Sequence, residues 1–575
     1  MTRAGDASDG TGDAGDIGPR PDATDADDAD GDDVDAADPD RPPTIRTEYG
    51  AAFWSAPFPD EARRNADGRP DLTGFPNPLA LAFVDSLLGL IERDVDGFGL
   101  TSTVYFPATQ PLDPASLPDL RGSLEPAASI FLVGVDPGSL DYGVRIPVTA
   151  FFEEDGGPYG APNLLSILPL QGRPLRPGTL YAAVVTDRVA TRSGDPVQPS
   201  SLVHALAADA RPAGMREMAW EAHRLAWREL AQLGATGVVA MAVYRTGHPT
   251  AQLSAARDAI LSTPLPEPEA AWVADEVFDE FCVFSATVQM PIYQQGDPPF
   301  TYTGGDWVLG DDGRPVLQGT ERARVVVTLP RAPAPETGFP TAVFVRTGGG
   351  GDRPLVDRGV HAEPHGPNLE EGAGPALHLA RAGFAGVSVD GPHGGLRNIN
   401  GADEQFLIFN FQNPIAMRDN IRQSALELML VAHLVATLRL PAAACPGVDA
   451  DDVGLDDTHL VLMGHSMGGT IGPLTLALEP RYRAAVFSGA GGSWIANVIH
   501  KLSPLEVRPL AELLIGYRTR ELHEHDPVLS LLQWGGESAD PPVYARQTVW
   551  EPLEGGAPRH ILMVQGVADT YILPP

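Results

Sequence analysis

Gly464-His465-Ser466-Met467-Gly468 sets a serine between two glycines, directly after the apolar run Leu460-Val461-Leu462-Met463. Such a run reads as a buried strand, and Gly469-Thr470 opens a helix. A serine hydroxyl is a poor nucleophile unless a base takes its proton and donors receive the charge on the attacked carbonyl oxygen. Flanking glycines permit a turn tight enough to hold that hydroxyl out of the sheet. The spacing therefore points to acyl transfer through Ser466. One oxyanion donor is expected to be the backbone N–H of Met467, at the start of the following helix. The second is expected from Gly348 and Gly349, in the glycine run 347–352 that follows the apolar strand 342–346.

An orienting acid should follow a later strand. Asp569 fits, after Ile561-Leu562-Met563-Val564-Gln565 and a glycine turn, where it would fix a histidine tautomer and stabilise the imidazolium. Asp390, after strand 386–389, precedes the serine and is expected to shape its own loop. The chain order Ser…Asp…His calls for a histidine beyond Asp569, and none occurs before Pro575. His465, beside the serine, and His393, in Asp390-Gly391-Pro392-His393-Gly394, are expected to line the pocket. His361, His365, His500, His523, His525 and His560 are no better placed to act as base. The expectation is a base beyond residue 575. This chemistry requires no metal and no organic cofactor.

These groups need a scaffold. Strands 341–346, 386–390, 459–463, 484–488 and 560–565 alternate with helices 374–382, 416–438 and 469–478. Alternation of this kind implies a largely parallel sheet with crossover helices, its functional groups at the carboxyl ends of the strands. Helix 416–438 is expected to be structural. Residues 494–558 form an apolar, helical insertion, either a lid over an acyl pocket or ordinary crossover packing.

The 575 residues carry a formal charge of −36, which excludes a nucleic-acid partner, since phosphate binding needs clustered Lys and Arg. Residues 1–43, with fourteen Asp against three Arg, read as a disordered acidic tail. Residues 44–210 carry short β-branched and aromatic runs separated by turn formers, which suits a β-sandwich. Residues 211–268 read as a helix–strand–helix appendage and a Pro-rich linker, and 269–575 as the α/β domain. Cys282 and Cys445 could form one bridge or stay reduced. No run approaches a membrane helix, and Met1 opens no signal peptide.

Together the elbow at Ser466, the glycine loop at Gly348 and the acid turn at Asp569 resemble the α/β-hydrolase superfamily, over roughly residues 275–575. More narrowly, Pro57-Phe58-Pro59, Gly74-Phe75-Pro76-Asn77-Pro78, Asp390-Gly391-Pro392-His393-Gly394 and Arg418-Asp419-Asn420-Ile421-Arg422-Gln423 resemble large bacterial extracellular lipases and esterases. Leu175-Arg176-Pro177-Gly178-Thr179-Leu180-Tyr181 is similar to a strand of bacterial immunoglobulin-like modules. The resemblance implies an α/β-hydrolase core behind a β domain, ester or lipid substrates, and an extracellular or cell-surface setting. The acidic tail resembles spacers behind a lipid anchor, which would lie upstream of Met1. It also implies that the last strand and its histidine lie beyond Pro575. A peptidase of the same superfamily and an inactive surface-binding protein are the alternatives.

Overall fold

The run Leu180-Tyr181-Ala182-Ala183-Val184-Val185-Thr186 has no polar face, so as a strand it needs cover on both sides. A computed structural model, which describes residues 42–50, 52–346, 353–363, 369–553 and 556–572, shows that cover. A first helix, α1 (Ala82–Asp94), precedes the sheets. Seven strands follow: β1 (Val104–Pro107), β2 (Ile130–Gly134), β3 (Arg145–Ile146), β4 (Val148–Glu153), β5 (Leu164–Pro169), β6 (Leu180–Thr186) and β7 (Val238–Arg245). They make two antiparallel sheets, ordered β1-β5-β4 and β3-β2-β6-β7. One face of the second sheet (Leu132, Tyr181, Ala183, Val185) joins the core of the first. On the other face, Phe131, Val133, Ala182 and Val184 pack under α2 (Ser201–Ala207) and α3 (Glu217–Gln232).

The immunoglobulin-like sandwich expected for residues 44–210 is not shown: the two antiparallel sheets share a core, but the second carries helices on its outer face. Helices cover a face that a sandwich leaves to water, because β6 is buried at every position. Residues 211–268 are not a separate appendage either. Their strand β7 pairs with β6 from Leu180↔Arg245 to Thr186↔Val238, so a boundary at 210 cuts through a sheet. Residues 42–575 form one compact unit. The acidic tail lies outside the described residues, apart from Pro42 and Pro43.

After α4 (Ala251–Leu261), the chain builds the large sheet. Its strands are β8 (Val273–Val277), β9 (Phe281–Ile292), β10 (Gly319–Pro330), β11 (Phe339–Phe344) and β12 (Ala385–Val389), then β13 (Arg439–Pro441), β14 (Asp452–His465), β15 (Tyr482–Ser488) and β16 (His560–Val564). The order is β16-β15-β14-β11-β12-β10-β9-β8, with β13 pairing off β14. From β16 to β12 every pair is parallel, while β10 runs antiparallel to both β12 and β9. The sheet is thus mixed, with the expected parallel half. Crossovers are α5 (Pro354–Asp357), α6 (Pro375–Arg381), α7 (Glu404–Ile408), α8 (Pro414–Val435) and α9 (Met467–Leu478). Cys282 on β9 is bonded to Cys445, which fastens the β13 region to the antiparallel side of the sheet.

Helix α8 is almost wholly buried, polar residues included. A buried charge is tolerated only when it is paired, and here each has a partner. Arg418 pairs with Asp94 of α1 at 2.7 Å and with Asp419 at 2.8 Å. Arg422 pairs with Asp419 at 2.8 Å and stacks over the Trp307 ring at 4.1 Å. Arg397 pairs with Glu427 at 2.6 Å. The Arg418–Gln423 stretch therefore fastens the first third of the chain to the sheet.

The insertion contributes α10 (Trp494–His500), α11 (Val507–Leu514) and α12 (Pro527–Gly536). Every residue of α12 is buried. Trp534 Nε1 donates to Gly97 O at 3.1 Å, and the Glu537 carboxylate accepts the Leu100 and Thr101 amides at 3.0 and 2.8 Å. Most of 494–558 is thus wedged against the N-terminal sheets rather than free to open as a lid. Helix α11 is half-buried and keeps lid-like features, with Leu513 77% exposed. Among the described residues, no helix is long and apolar enough to cross a membrane.

Candidate active site

β14 ends at His465 and α9 begins at Met467, so Ser466 alone makes the turn. Its backbone has φ 53° and ψ −116°, a conformation that L-residues avoid. Strain of this kind, about 1–3 kcal/mol, persists only where the surroundings enforce it. Here Ser466 N donates to Ser488 O at 2.9 Å, extending the β14–β15 pairing, and Gly469 N donates to Ser466 O at 2.7 Å. Space requires the glycine at 464 and is tight at 468. A Cβ on Gly464 would lie 2.3 Å from Gly468 O, and one on Gly468 would lie 3.2 Å from Val345 Cβ. As the first helical residue, Met467 has an N–H without an intrahelical partner, which suits an oxyanion donor. Gly348 and Gly349, the expected second source, lie outside the described residues.

Asp569 reaches the same end of the sheet. A Cβ on Gly489 would lie 3.6 Å from Asp569 Oδ2 and 4.0 Å from Ser466 N, so acid and serine flank one glycine. Asp569 Oδ1 accepts the amides of Tyr571 and Ile572 at 2.9 and 3.0 Å. Those two bonds hold one oxygen, while among the described residues Oδ2 meets only Gln565 Nε2, at 3.5 Å. Oδ2 is therefore the oxygen available to a further donor.

None of the described histidines hydrogen-bonds Ser466 Oγ or the Asp569 carboxylate; His365 lies outside the described residues. His465 is partly buried, and burial together with the Arg358 guanidinium holds its imidazole below the ordinary range. It is therefore neutral at pH 7. His393, expected to line the pocket, is buried. Its ring is buried against Phe300, and Nε2 lies 3.3 Å from Asn420 Oδ1, inside the α8 network. Its backbone (φ 59°) turns the chain back beneath the loop after β12.

A second constellation was not legible from the motifs. Arg346, two residues past β11 and next to the glycine run, donates from Nε to both oxygens of Glu404 at 2.8 and 2.9 Å. It also donates to Asp390 Oδ1 at 3.3 Å. Asp390 in turn accepts the Arg324 and Leu396 amides at 3.2 and 3.0 Å. It shapes its loop, as expected, and anchors Arg346 as well. Burial, with Asp390 and Asp403 nearby, pushes the Glu404 carboxyl up to about 7. Arg346 and Glu404 line a small recess that includes Met467, so their ion pair borders the oxyanion side of the serine. The one sequence signal for it was a lone arginine ending an otherwise apolar strand.

On the other side of the turn, an apolar pocket opens between Thr470, Gly491 and Ile572. Thr470 lies one helical turn beyond Ser466, and Ile572 is the residue whose amide holds Asp569. Phe406, Phe409, Trp494 and Leu505 form much of its wall. The first turn of α9 thus borders both cavities, with Met467 lining the charged recess and Thr470 the apolar pocket.

No family model matches this chain, and no curated protein does. Among solved structures it is similar to acetyl xylan esterase 1 from a Thermoanaerobacterium species, at 17% identity and a TM-score of 0.34, over 57% of this chain and 80% of that one. It is also similar to a glucuronoyl esterase from Teredinibacter turnerae, at 12% identity and a TM-score of 0.26, over 54% and 63%. A third is acylaminoacyl peptidase from Pyrococcus horikoshii, at 11% identity and a TM-score of 0.26, over 54% and 41%. Likeness this distant leaves the reaction to be argued from the chain's own residues.

Proposed function

We propose that the chain is a serine carboxylic-ester hydrolase of the α/β-hydrolase type. The observation that carries this reading is the strained Ser466 on a strand-to-helix turn, with Asp569 across Gly489 from it. In the reaction, Ser466 Oγ attacks the ester carbonyl carbon while its proton passes to an imidazole oriented by Asp569 Oδ2. The carbonyl oxygen takes up the negative charge and is met by the Met467 amide and by an amide from Gly348 or Gly349. Collapse breaks the bond to the alcohol, which leaves with the proton from the imidazole. Water then cleaves the acyl-enzyme by the same steps. Among the described residues no histidine hydrogen-bonds Ser466 Oγ or Asp569 Oδ2. The Cys282–Cys445 disulfide supports an oxidising, extracellular or cell-surface setting.

The apolar pocket favours esters over peptides, because a peptide brings amide groups that need partners. The test compares p-nitrophenyl butyrate with the matching p-nitroanilide, following release and the mass of the Ser466 peptide. The expected result is butyryl transfer to Ser466 from the ester alone. A faster anilide reaction would move the reading to a peptidase. Ester cleavage undiminished by Ser466→Ala would remove the nucleophile from the account.

A further inference from the structure

We propose that the acyl group is a long linear hydrocarbon chain, which threads from Ser466 through the pocket beside it into a second, inner chamber. The proposal rests on the esterase reading and adds the substrate class. Phe411, Met417, Val498, Val507 and Leu532 line the pocket and also line a second, adjacent chamber, so the two share one apolar wall. Every residue lining the second chamber is apolar, among them Phe83, Leu510, Ala511, Leu514 and Leu529. The inner chamber thus offers no hydrogen-bonding side chain and favours hydrocarbon alone.

Polar groups in the outer pocket are already engaged. Lys501 Nζ donates to Tyr571 O at 2.9 Å, and Asp540 accepts from Ser493 N and Gln533 Nε2, each at 2.8 Å. Asn497 Nδ2 donates to Ser493 O at 2.9 Å. A sugar ring or peptide would find few free partners there, while two adjacent apolar chambers suit a flexible chain that displaces the side chains between them. The chamber also gives the insertion a purpose. Its walls come from α1 through Phe83, from α11 through Leu510, Ala511 and Leu514, and from α12 through Leu529. The N-terminal region therefore helps to build the acyl site.

The test needs no turnover. Binding of acetate, butyrate, octanoate and dodecanoate, the acyl products, is measured by calorimetry on the intact protein below their micelle concentrations. Burial of each methylene is worth about a fourfold gain in affinity, so affinity should climb steeply from butyrate to octanoate. Leu514→Trp, on half-buried α11, should fill the inner chamber. It should flatten the series beyond butyrate and leave the short carboxylates unchanged. Ala511→Phe is the second variant, with the same expectation should Leu514→Trp fail to fold. Affinity independent of chain length, or dodecanoate binding unaltered in both variants, would overturn the proposal. Fluorophosphonate labelling of Ser466 reports separately on the reaction. Labelling with a flat series leaves the esterase and removes the chamber's role, whereas a steep series without labelling keeps the chamber and removes the esterase.

Discussion

Ser466 bears a backbone conformation that glycine would hold without penalty. Ser466→Gly should therefore stabilise the fold by about 1–2 kcal/mol while abolishing reactivity, read as a higher urea midpoint. A lower midpoint would mean that the φ of 53° is not a strained state. Under the proposed mechanism Asp569 acts through a partner, so Asp569→Asn should leave the midpoint nearly unchanged yet slow ester cleavage by roughly 10³–10⁴-fold. Unchanged cleavage would show that the Asp569 carboxylate only closes its own turn. Ser466, Met467 and Asp569 were legible because each sits at a fixed offset from an apolar run and a glycine. Arg346 and Glu404 were not, since 58 residues separate partners that only the sheet brings together.

Elements were legible where one face or one period dominated. The runs that became β6, β12 and β15 could be placed by their apolar content, and α3 by its spacing of threes and fours. What misled was cover. A strand buried on both faces, such as β6, signals helices packed outside it, so the β-sandwich reading had its contrary evidence in Leu180–Thr186 itself. The insertion misled in the opposite sense, because an apolar helix reads alike as a lid and as a wedge. Glu537, at the end of α12, decides for the wedge by accepting the Leu100 and Thr101 amides. Burial pushes its carboxyl up to about 7, against 4.5 for an unburied glutamate. The folded chain thus keeps a proton that the unfolded chain has lost between those values. Stability from this group is complete below about pH 4.5 and is lost as pH rises through about 7. Denaturation midpoints should fall between pH 5 and pH 8, and Glu537→Gln should fall less. Equal slopes in the two proteins would contradict this assignment.

At the scale of the whole molecule, the N-terminal sheets, the insertion and the mixed sheet share one core. The α8 charges and the apolar chamber lined by Phe83 both bridge them, so the N-terminal region packs as one body with the mixed sheet. The disulfide closes a span of 163 residues. Chain-entropy reasoning gives such a closure roughly 5 kcal/mol, so Cys282→Ser with Cys445→Ser should lower the urea midpoint markedly, whereas an unchanged midpoint would mean the bridge constrains little. The most direct test treats the intact protein with a fluorophosphonate and locates the adduct by peptide mass spectrometry. The account predicts a single adduct on Ser466, absent in Ser466→Ala protein of unchanged circular dichroism. An adduct that persists in Ser466→Ala, or no adduct on Ser466 in the folded protein, would contradict it.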